Sequence, residues 1–476
     1  RALRVQGVRR RQLTRNTREE HEEDQNCDPR ERQQKNGHAP GALQPFARFA
    51  VGRVTGSNVV RGGWRGKPTW RQDLLRAYRP RSNPPFLADP HHVRSVTDDA
   101  SPLDLEAIRA QFPILSRRTY LNSCSLGALS LRSEMYLDEF REQWHDLGAS
   151  AWHRHWLGRV EDLRCRVAGF WGSTPEELAL LPSTSTALAM VTESVPVGDR
   201  NRVVCTELDF PTLAYQWAVK PEINLVMLRS EDGVAIDPQQ FVDAVDERTL
   251  FLATSHVFFT TGFRQDIEQL ADIAREAGAY SLIDGYQGAG QVPLALSQSG
   301  VDFYTAGPLK WLCGGPGLSY LYVREQLIQS LRPRITSWFA TERQFDFDLE
   351  GFEYRPDARR FELGTPALPT VHTALGGQEL VDEIGIDAIV ARNRVLTERL
   401  IDGARSAGFS MALAEPEQRT SIVMIRHDDP SGAVRHLAEH DVIVDYRPGF
   451  VRVSPHFYNT EEEVDRCLHV LAAFSS

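Results

Sequence analysis

Lysine is scarce in this chain. Its 476 residues hold four, Lys35, Lys67, Lys220 and Lys310, and arginine carries nearly all the other positive charge. The difference matters where an amine must lose its proton and attack a carbonyl, because arginine stays protonated. Lys310 stands in VDFYTAGPLKWLCGGPGLSYLYV, residues 301–323. An apolar strand runs into it, and a Gly-Gly-Pro-Gly turn leads on to a second apolar strand. An ammonium flanked by Leu309 and Trp311 is costly unless it is neutral or covalently used. Such a setting suits a lysine that forms a Schiff base.

The stretch AYSLIDGYQ reads as a strand ending in Asp284, 26 positions before Lys310. Ligands of open α/β sheets bind beyond the carboxyl ends of strands, so this carboxylate stands at the mouth of a site. A carboxylate and a Schiff-base lysine converging there meet the needs of pyridoxal 5'-phosphate. The carboxylate keeps the pyridine nitrogen protonated, which makes the ring an electron sink. Taken alone, Asp284 would more often cap the turn at Gly285.

Three further places carry chemistry. LLPSTSTALAMV sets hydroxyls from Ser183 to Thr186 ahead of a helical stretch. They are either an ordinary N-cap or, with free backbone amides, a phosphate cradle. Phe210, in CTELDFPTLAYQW, follows a strand and is either a core aromatic or a stacking platform for a pyridine ring. Arg452, in GFVRVSPHFYNTEEE, lies in a strand, where its fork suits a bidentate carboxylate. An internal salt bridge is its alternative.

The elements that must position these residues begin near Ser101. SPLDLEAIRAQFPIL is a short helix with Ser101 and Asp104 as candidate caps. Residues 131–171 form a long, aromatic-rich amphipathic region. Beyond it, the strands ELALLP, NRVVCTE, INLVMLR, TLFLATSHV, AYSLIDGY, VDFYTAG and LSYLYV are interspersed with helices such as DPQQFVDAV and DIEQLADIAREAG. This alternation predicts an α/β architecture with a mostly parallel sheet covered on both faces. A smaller α+β unit follows, opening with one long helix over ALGGQELVDEIGIDAIVARNRVLTERLIDGARSAG. The organisation expected is a basic, disordered extension over 1–100 and an N-terminal segment over 101–130 packing on the small domain. A large domain over 131–355 and a small C-terminal domain over 356–476 complete it.

Charge supports this division. Residues 1–100 hold 20 Lys and Arg against 11 Asp and Glu, and the remainder holds 34 against 53. The acidic body argues against nucleic-acid binding. No run of ~20 apolar residues calls for a membrane span. Cys27, Cys124, Cys165, Cys205, Cys313 and Cys467 are scattered without a CxxC pair. That pattern fits a reducing, cytoplasmic setting and no metal site. Cys124 and Cys313 sit in small-residue turns and read as structural.

Taken together, FPT (210–212), SHVFFTTG (255–262), DGYQ (284–287), LKWLCGGPG (309–317), SWF (337–339), RRFELGTPAL (359–368) and DYRPGFVRVSPHFYNT (445–460) resemble the class V aminotransferase family, and within it the kynureninase-like branch. The resemblance covers residues 101–476. It implies fold type I, with a seven-stranded, mostly parallel sheet between helices, pyridoxal 5'-phosphate as cofactor, and a homodimer with sites at its interface. It further implies that Lys310 holds the cofactor, Asp284 pairs with its ring nitrogen, and Gln287 bonds its ring oxygen. Phe210 would stack on the ring, and Ser185 and Thr186 would bind phosphate, joined by Thr365 reaching a neighbouring subunit. Arg452, Trp338 and Asn122 would contact the substrate.

This chain also departs from that branch. Gln287 stands where kynureninases have His, and Leu309 where they usually have Tyr. Phe258 and Thr260 replace Asn and Arg, and Leu213 replaces Asp. No cysteine lies between Cys313 and Cys467, where cysteine desulfurases carry theirs. Phe258, Phe259, Leu309 and Leu213, with Trp338, point to a hydrophobic or aromatic side-chain pocket. The expectation is an aminotransferase acting on an amino acid, a small-molecule substrate. The alternatives are a kynureninase-like or C–S/β-elimination lyase and, in another class, a non-catalytic pyridoxal-phosphate-binding regulator. The last calls for a fused DNA-binding module, and residues 1–100 show no helix-turn-helix pattern.

Overall fold

The structure, a computed structural model, describes residues 103–474. The basic extension expected over 1–100 and the Ser101 cap lie outside the described residues. Asp104 does cap the first helix, Leu105–Ala110 (α1), by accepting from the Ala107 N–H. The segment Thr119–Tyr120 (β1) follows, then the helices Leu131–Leu147 (α2) and Leu157–Phe170 (α3).

Seven strands then build the main sheet. They are Leu178–Leu181 (β2), Arg202–Thr206 (β3), Asn224–Leu228 (β4), Thr249–Ser255 (β5), Tyr280–Asp284 (β6), Phe303–Ala306 (β7) and Ser319–Val323 (β8). Their order across the sheet is β2-β8-β7-β6-β5-β3-β4. Only β8 runs against the rest, so β2, β3, β5, β6 and β7 end along one edge. The mostly parallel sheet is therefore seen as expected.

Strand periodicity explains how both faces are buried. On one face Leu178, Leu180, Ile283, Tyr304, Tyr320 and Tyr322 pack with α2, α3 and a later helix. On the other, Ala179, Leu181, Val203, Phe251, Leu282, Phe303 and Leu321 meet Thr184–Ser194 (α4) and Pro211–Ala218 (α5). Ile267–Glu276, one of the crossover helices, is capped by Asp266 and buries Ile267, Leu270, Ala271 and Ala274. That is the stripe an amphipathic helix lays on a sheet.

The single long helix expected after residue 374 is two helices, Leu368–Ile384 and Ile386–Ser406. Gly385 separates them with φ +83°. That left-handed backbone stops a helix, and glycine adopts it without a Cβ clash. The two helices also serve different cores. Leu368–Ile384 packs on α2 and α3, while Leu396, Leu400 and Ile401 cover the small sheet. That sheet contains Met411–Ala412 (β9), Val423–Arg426 (β10), Asp445–Arg447 (β12) and Phe450–Val453 (β13), all antiparallel. Val442–Ile443 (β11) pairs instead with β1.

Between the two sheets runs the segment 121–127. Its Ser123 N–H donates to Ser454 O at 3.3 Å, and its Gly127 N–H donates to Leu309 O at 2.8 Å. A Cβ at Gly127 would overlap the Lys310 carbonyl oxygen and crowd the Cys313 backbone. Backbone cannot move aside as a flexible side chain can, so Gly127→Ala should cost ~3 kcal/mol. The expected result is a thermal midpoint lower by roughly 5 °C or more in circular dichroism. An unchanged midpoint would show that the contact is slack.

Candidate active site

Loops leaving the aligned carboxyl ends of β2, β3, β5, β6 and β7 carry Ser183, Phe210, His256, Asp284 and Lys310. Each is placed by local chemistry. Ser183 is the N-cap of α4 and accepts from the Thr186 N–H. Ser185 and Thr186 thus lie in the first turn, where unpaired backbone amides and the helix dipole favour an anion. Phe210 is the N-cap of α5, ahead of Pro211. Its turn is pinned by Asp209, whose buried carboxylate accepts from the Thr206 N–H, the Ser255 N–H and the Thr254 hydroxyl. Burial lifts the Asp209 carboxyl to about 6, against the pull of those donors. The Phe210 ring remains 46% exposed. It stands edge-on to Phe259, with centroids 5.2 Å apart.

Asp284 is buried at the end of β6. One carboxylate oxygen accepts from the Tyr286 N–H at 2.9 Å, so it does cap the turn. The other has no hydrogen-bond partner among the described residues. Burial raises its carboxyl above the usual range, opposed by the Tyr286 N–H and by Lys310. A protonated ring nitrogen would supply the missing partner and draw the group back to its ionised form.

The Lys310 amine lies over the Tyr286 ring, 4.9 Å from its centroid. Burial lowers the amine to about 8, partly offset by Cys124 and Asp284, while Arg452 and Arg447 push it further down. A lysine with this proton affinity is a nucleophile near neutral pH. Gln287 is held at both ends of its amide. Its Nε2 donates to Cys124 O at 3.0 Å, and its Oε1 accepts from Trp311 Nε1 at 2.8 Å. His256, behind Asp284, is buried against the Tyr304 hydroxyl at 3.1 Å. Burial, reinforced by Arg264, pushes it down to about 3, so it is neutral.

Arg452 is 1% exposed and already engaged. Its Nη2 donates to Asp445 Oδ2 at 2.6 Å and to Ser125 Oγ at 2.8 Å, and its Nη1 donates to Phe259 O at 2.9 Å. The internal salt bridge that sequence left as the alternative is thus present. Burial disfavours an ionised Asp445, but Arg452, the Tyr446 N–H, Arg447 and Ser125 outweigh it and hold that carboxyl below the usual range.

Of the other expected residues, Trp338 and Thr365 sit apart. Asn122 is half-buried on the 121–127 segment, paired through its backbone with Ser454. Trp338 is 40% exposed and groups with Phe339, Phe345 and Phe347. Thr365 is also exposed. No hydrogen bond, ion pair or ring contact among the described residues ties Trp338 or Thr365 to the Lys310 group. The pocket expected from apolar replacements is smaller than read. Leu213 faces the sheet core from α5, and Phe258 stacks on Phe263 in another core. Alternation along the chain turns Phe258 inward and leaves Phe259 beside Phe210. Sequence reasoning missed Tyr286, Trp311, Ser125, Asp445 and Arg447. Only the spacing of Asp445 and Arg447, two apart on a strand, could have flagged a shared face.

A family model described as aminotransferase class-V matches residues 131–467. The uncharacterized aminotransferase YcbU of Bacillus subtilis is 32% identical over 368 residues, 77% of this chain and 97% of the relative. The kynureninase of Geobacillus thermodenitrificans is 27% identical over 389 residues, 77% of this chain and 90% of the relative. Among solved structures, the apo cysteine desulfurase of Thermococcus onnurineus aligns with a TM-score of 0.72 at 22% identity, covering 79% of this chain and 99% of that one. The cystine C–S lyase C-DES, in complex with cysteine persulfide, aligns with a TM-score of 0.71 at 20% identity, covering 76% and 99%. The fold is fold type I, and the cofactor is pyridoxal phosphate. The donor set fits that cofactor: a hydroxyl-lined helix N-terminus for the phosphate, a half-satisfied carboxylate for the ring nitrogen, an exposed aromatic ring and a nucleophilic amine.

Capture of pyridoxal phosphate by cofactor-free protein requires a neutral Lys310. The second-order rate of capture, followed by absorbance, should rise with pH through about 8 and then level off. A rise continuing to ~10.5, the range of an unperturbed lysine, would contradict the burial effect.

Proposed function

Because this chain belongs to the class V aminotransferase family, a family of pyridoxal-phosphate enzymes, we propose that it is an aminotransferase acting on an amino acid. One observation carries the reading. A lysine amine brought down to about 8 faces a buried carboxylate and lies in the field of two arginines. An amine and two guanidiniums meet an α-amino acid on both of its functional groups. When bound, the cofactor supplies an electron sink for the bond broken at the substrate's α-carbon.

The residues divide the remaining work. Ser185, Thr186 and the amides of α4 hold the phosphate. Phe210 covers one ring face, and Gln287, fixed by Trp311, bonds the ring oxygen. Asp284 keeps the ring nitrogen protonated. Lys310 is first the point of covalent attachment and then, once freed, the base that takes the α-proton. Amino transfer rather than elimination would require Lys310 to carry that proton across to the cofactor's aldehyde-derived carbon. The substrate side chain meets Phe259 and Phe210. Asn122 flanks it, and Trp338 reaches the site of a second copy.

The exposure of Trp338 and Thr365, which are separate from their own chain's Lys310 group, supports a homodimer. We place the enzyme in the cytoplasm. All five cysteines among the described residues are unpaired, in keeping with a reducing compartment. The relative at 32% identity, named as an aminotransferase, favours amino transfer. The kynureninase relatives keep a lyase as the second reading.

The test begins with the visible spectrum of purified protein, beside Lys310→Ala. The wild type should show a Schiff-base band that borohydride removes, and the variant should lack it. Incubation with hydrophobic and aromatic L-amino acids should then leave bound pyridoxamine phosphate, read by chromatography. Release of pyruvate or alanine without pyridoxamine phosphate would move the assignment to a lyase. Asp284→Asn should keep the band and lower turnover by at least ~100-fold, since the electron sink loses its proton. Turnover within threefold of wild type would remove Asp284 from that role.

A further inference from the structure

Tyr286 touches both groups on which the proposed chemistry turns. Its N–H donates to the Asp284 carboxylate at 2.9 Å. Its ring face carries the Lys310 amine, 4.9 Å from the centroid. The ring has little room to move. A Cβ at Gly307, three residues before Lys310, would lie 2.8 Å from Tyr286 Cε2 and 3.0 Å from the hydroxyl oxygen. The ring edge therefore rests on the backbone that leads from β7 into the lysine loop. The ring also packs against the core on one face of the main sheet.

The amine has few other holds. No carboxylate, carbonyl or hydroxyl among the described residues accepts a hydrogen bond from it. Burial disfavours its ammonium form, Cys124 and Asp284 favour that form, and Arg452 and Arg447 oppose it. Such a balance suits a nucleophile, which must be neutral. A base has the further task of keeping the proton it has just taken. The negative face of an aromatic ring attracts an ammonium and is nearly indifferent to a neutral amine. It therefore serves the second task with little hindrance to the first. A hydrogen-bonded carboxylate in its place would hold the ammonium too firmly for the amine to be freed.

The face acts here rather than the hydroxyl. The Tyr286 hydroxyl has no hydrogen-bond partner among the described residues. Burial, reinforced by Asp284, keeps the Tyr286 phenol well above its ordinary range. Burial, reinforced by Tyr286, does the same for the neighbouring Tyr320. Both rings are thus uncharged wherever the amine titrates, and the quadrupole of Tyr286 is what the amine meets. Asp284 meets the same residue through its backbone. Burial raises the Asp284 carboxyl, and the Tyr286 N–H opposes that rise. One residue thereby ties the resting place of the amine to the carboxylate.

We propose that Tyr286 is a positioning residue for the base, its ring face receiving the Lys310 ammonium once the amine has taken the substrate's α-proton. The C–H bond breaks and a new N–H bond forms at Lys310 Nζ. The electron pair left behind passes to the electron sink. The ring then holds the charged amine until it gives the proton up. The inference rests on Lys310 as the base of the amino-acid reading and deepens it.

The amine is titrated in cofactor-free protein, through the pH dependence of pyridoxal-phosphate capture, in the wild type, Tyr286→Phe and Tyr286→Leu. A face that favours the ammonium raises the midpoint, so its loss lowers it. The wild-type midpoint is expected at about 8. Tyr286→Leu should lower it by ~0.4–1.5 pH units, and Tyr286→Phe should leave it within ~0.2. Should Tyr286→Leu fail to fold, phenylalanines carrying one, two and three ring fluorines at position 286 decide alone. They keep the ring's shape and drain its negative face, so the midpoint should fall stepwise. In loaded protein, a mixture of hydrophobic and aromatic L-amino acids should exchange α-hydrogen with deuterated water ~3–30-fold more slowly in Tyr286→Leu. Tyr286→Phe should exchange within about twofold of the wild type. A flat fluorine series overturns the proposal, as does a wild-type midpoint or exchange rate in Tyr286→Leu. An equal shift in the Phe and Leu variants overturns it too, because the hydroxyl would then be the active part. Each of these leaves the cofactor reading intact. Failure of the wild type to capture pyridoxal phosphate, or to exchange any of the amino acids, would sink the amino-acid reading itself and this inference with it.

Discussion

The site depends on one short piece of backbone, residues 121–127. It is tied to the small sheet through Ser454, to the lysine loop through Gly127 and Leu309, and to the Asp284 loop through Cys124 and Gln287. Ser125, in the middle, reaches Asp445 and Arg452. Three loops distant in sequence thus share a single strut. Backbone hydrogen bonds fix direction as well as distance. The Lys310 amine, the Asp284 carboxylate and the β12–β13 hairpin are therefore held in one frame. There is no room for a Cβ at Gly127 because the strut lies directly on the lysine loop.

Within that frame, burial controls charge. Lys310 loses affinity for its proton, Asp284 gains it, and His256 stays neutral, each chiefly because water is excluded. Asp445 goes the other way, since two guanidiniums compensate it. The site therefore has a responsive end, where an amine can exchange its proton, and a fixed end, where charges are locked in pairs. A catalytic base needs the first, and recognition of an anion needs the second.

Much of this was legible in the sequence. Apolar runs alternating with amphipathic stretches predict the parallel sheet because strand and helix periods are local properties. Asp284, Lys310, Phe210 and Ser183–Thr186 could be picked out because the carboxyl end of a strand is a local landmark. What stayed hidden is made by closure of the chain on itself. Tyr286 under the lysine and Trp311 on Gln287 are such contacts. So is the pairing of Arg452 with Asp445, joined by a serine 327 positions away. Leu213 and Phe258 misled for a related reason. Their apolar character was read correctly, but which way they face depends on the register of neighbouring elements. The break at Gly385 was readable in principle, yet a lone glycine inside a helical pattern is often tolerated.

The order of the strands bears on how the protein comes to be made. β2, whose loop carries the Ser183–Thr186 hydroxyls, pairs in the sheet only with β8, about 140 residues later. The β12–β13 hairpin closes on Ser125 across a separation of 327 residues. A nascent chain emerging from the ribosome therefore lacks a complete cofactor cradle until most of it has been synthesised. Pairings of such long sequence separation also form slowly. Cofactor capture, which needs that cradle, would consequently wait on these long-range pairings. Until then an unattached lysine amine meets the cell without its aldehyde partner.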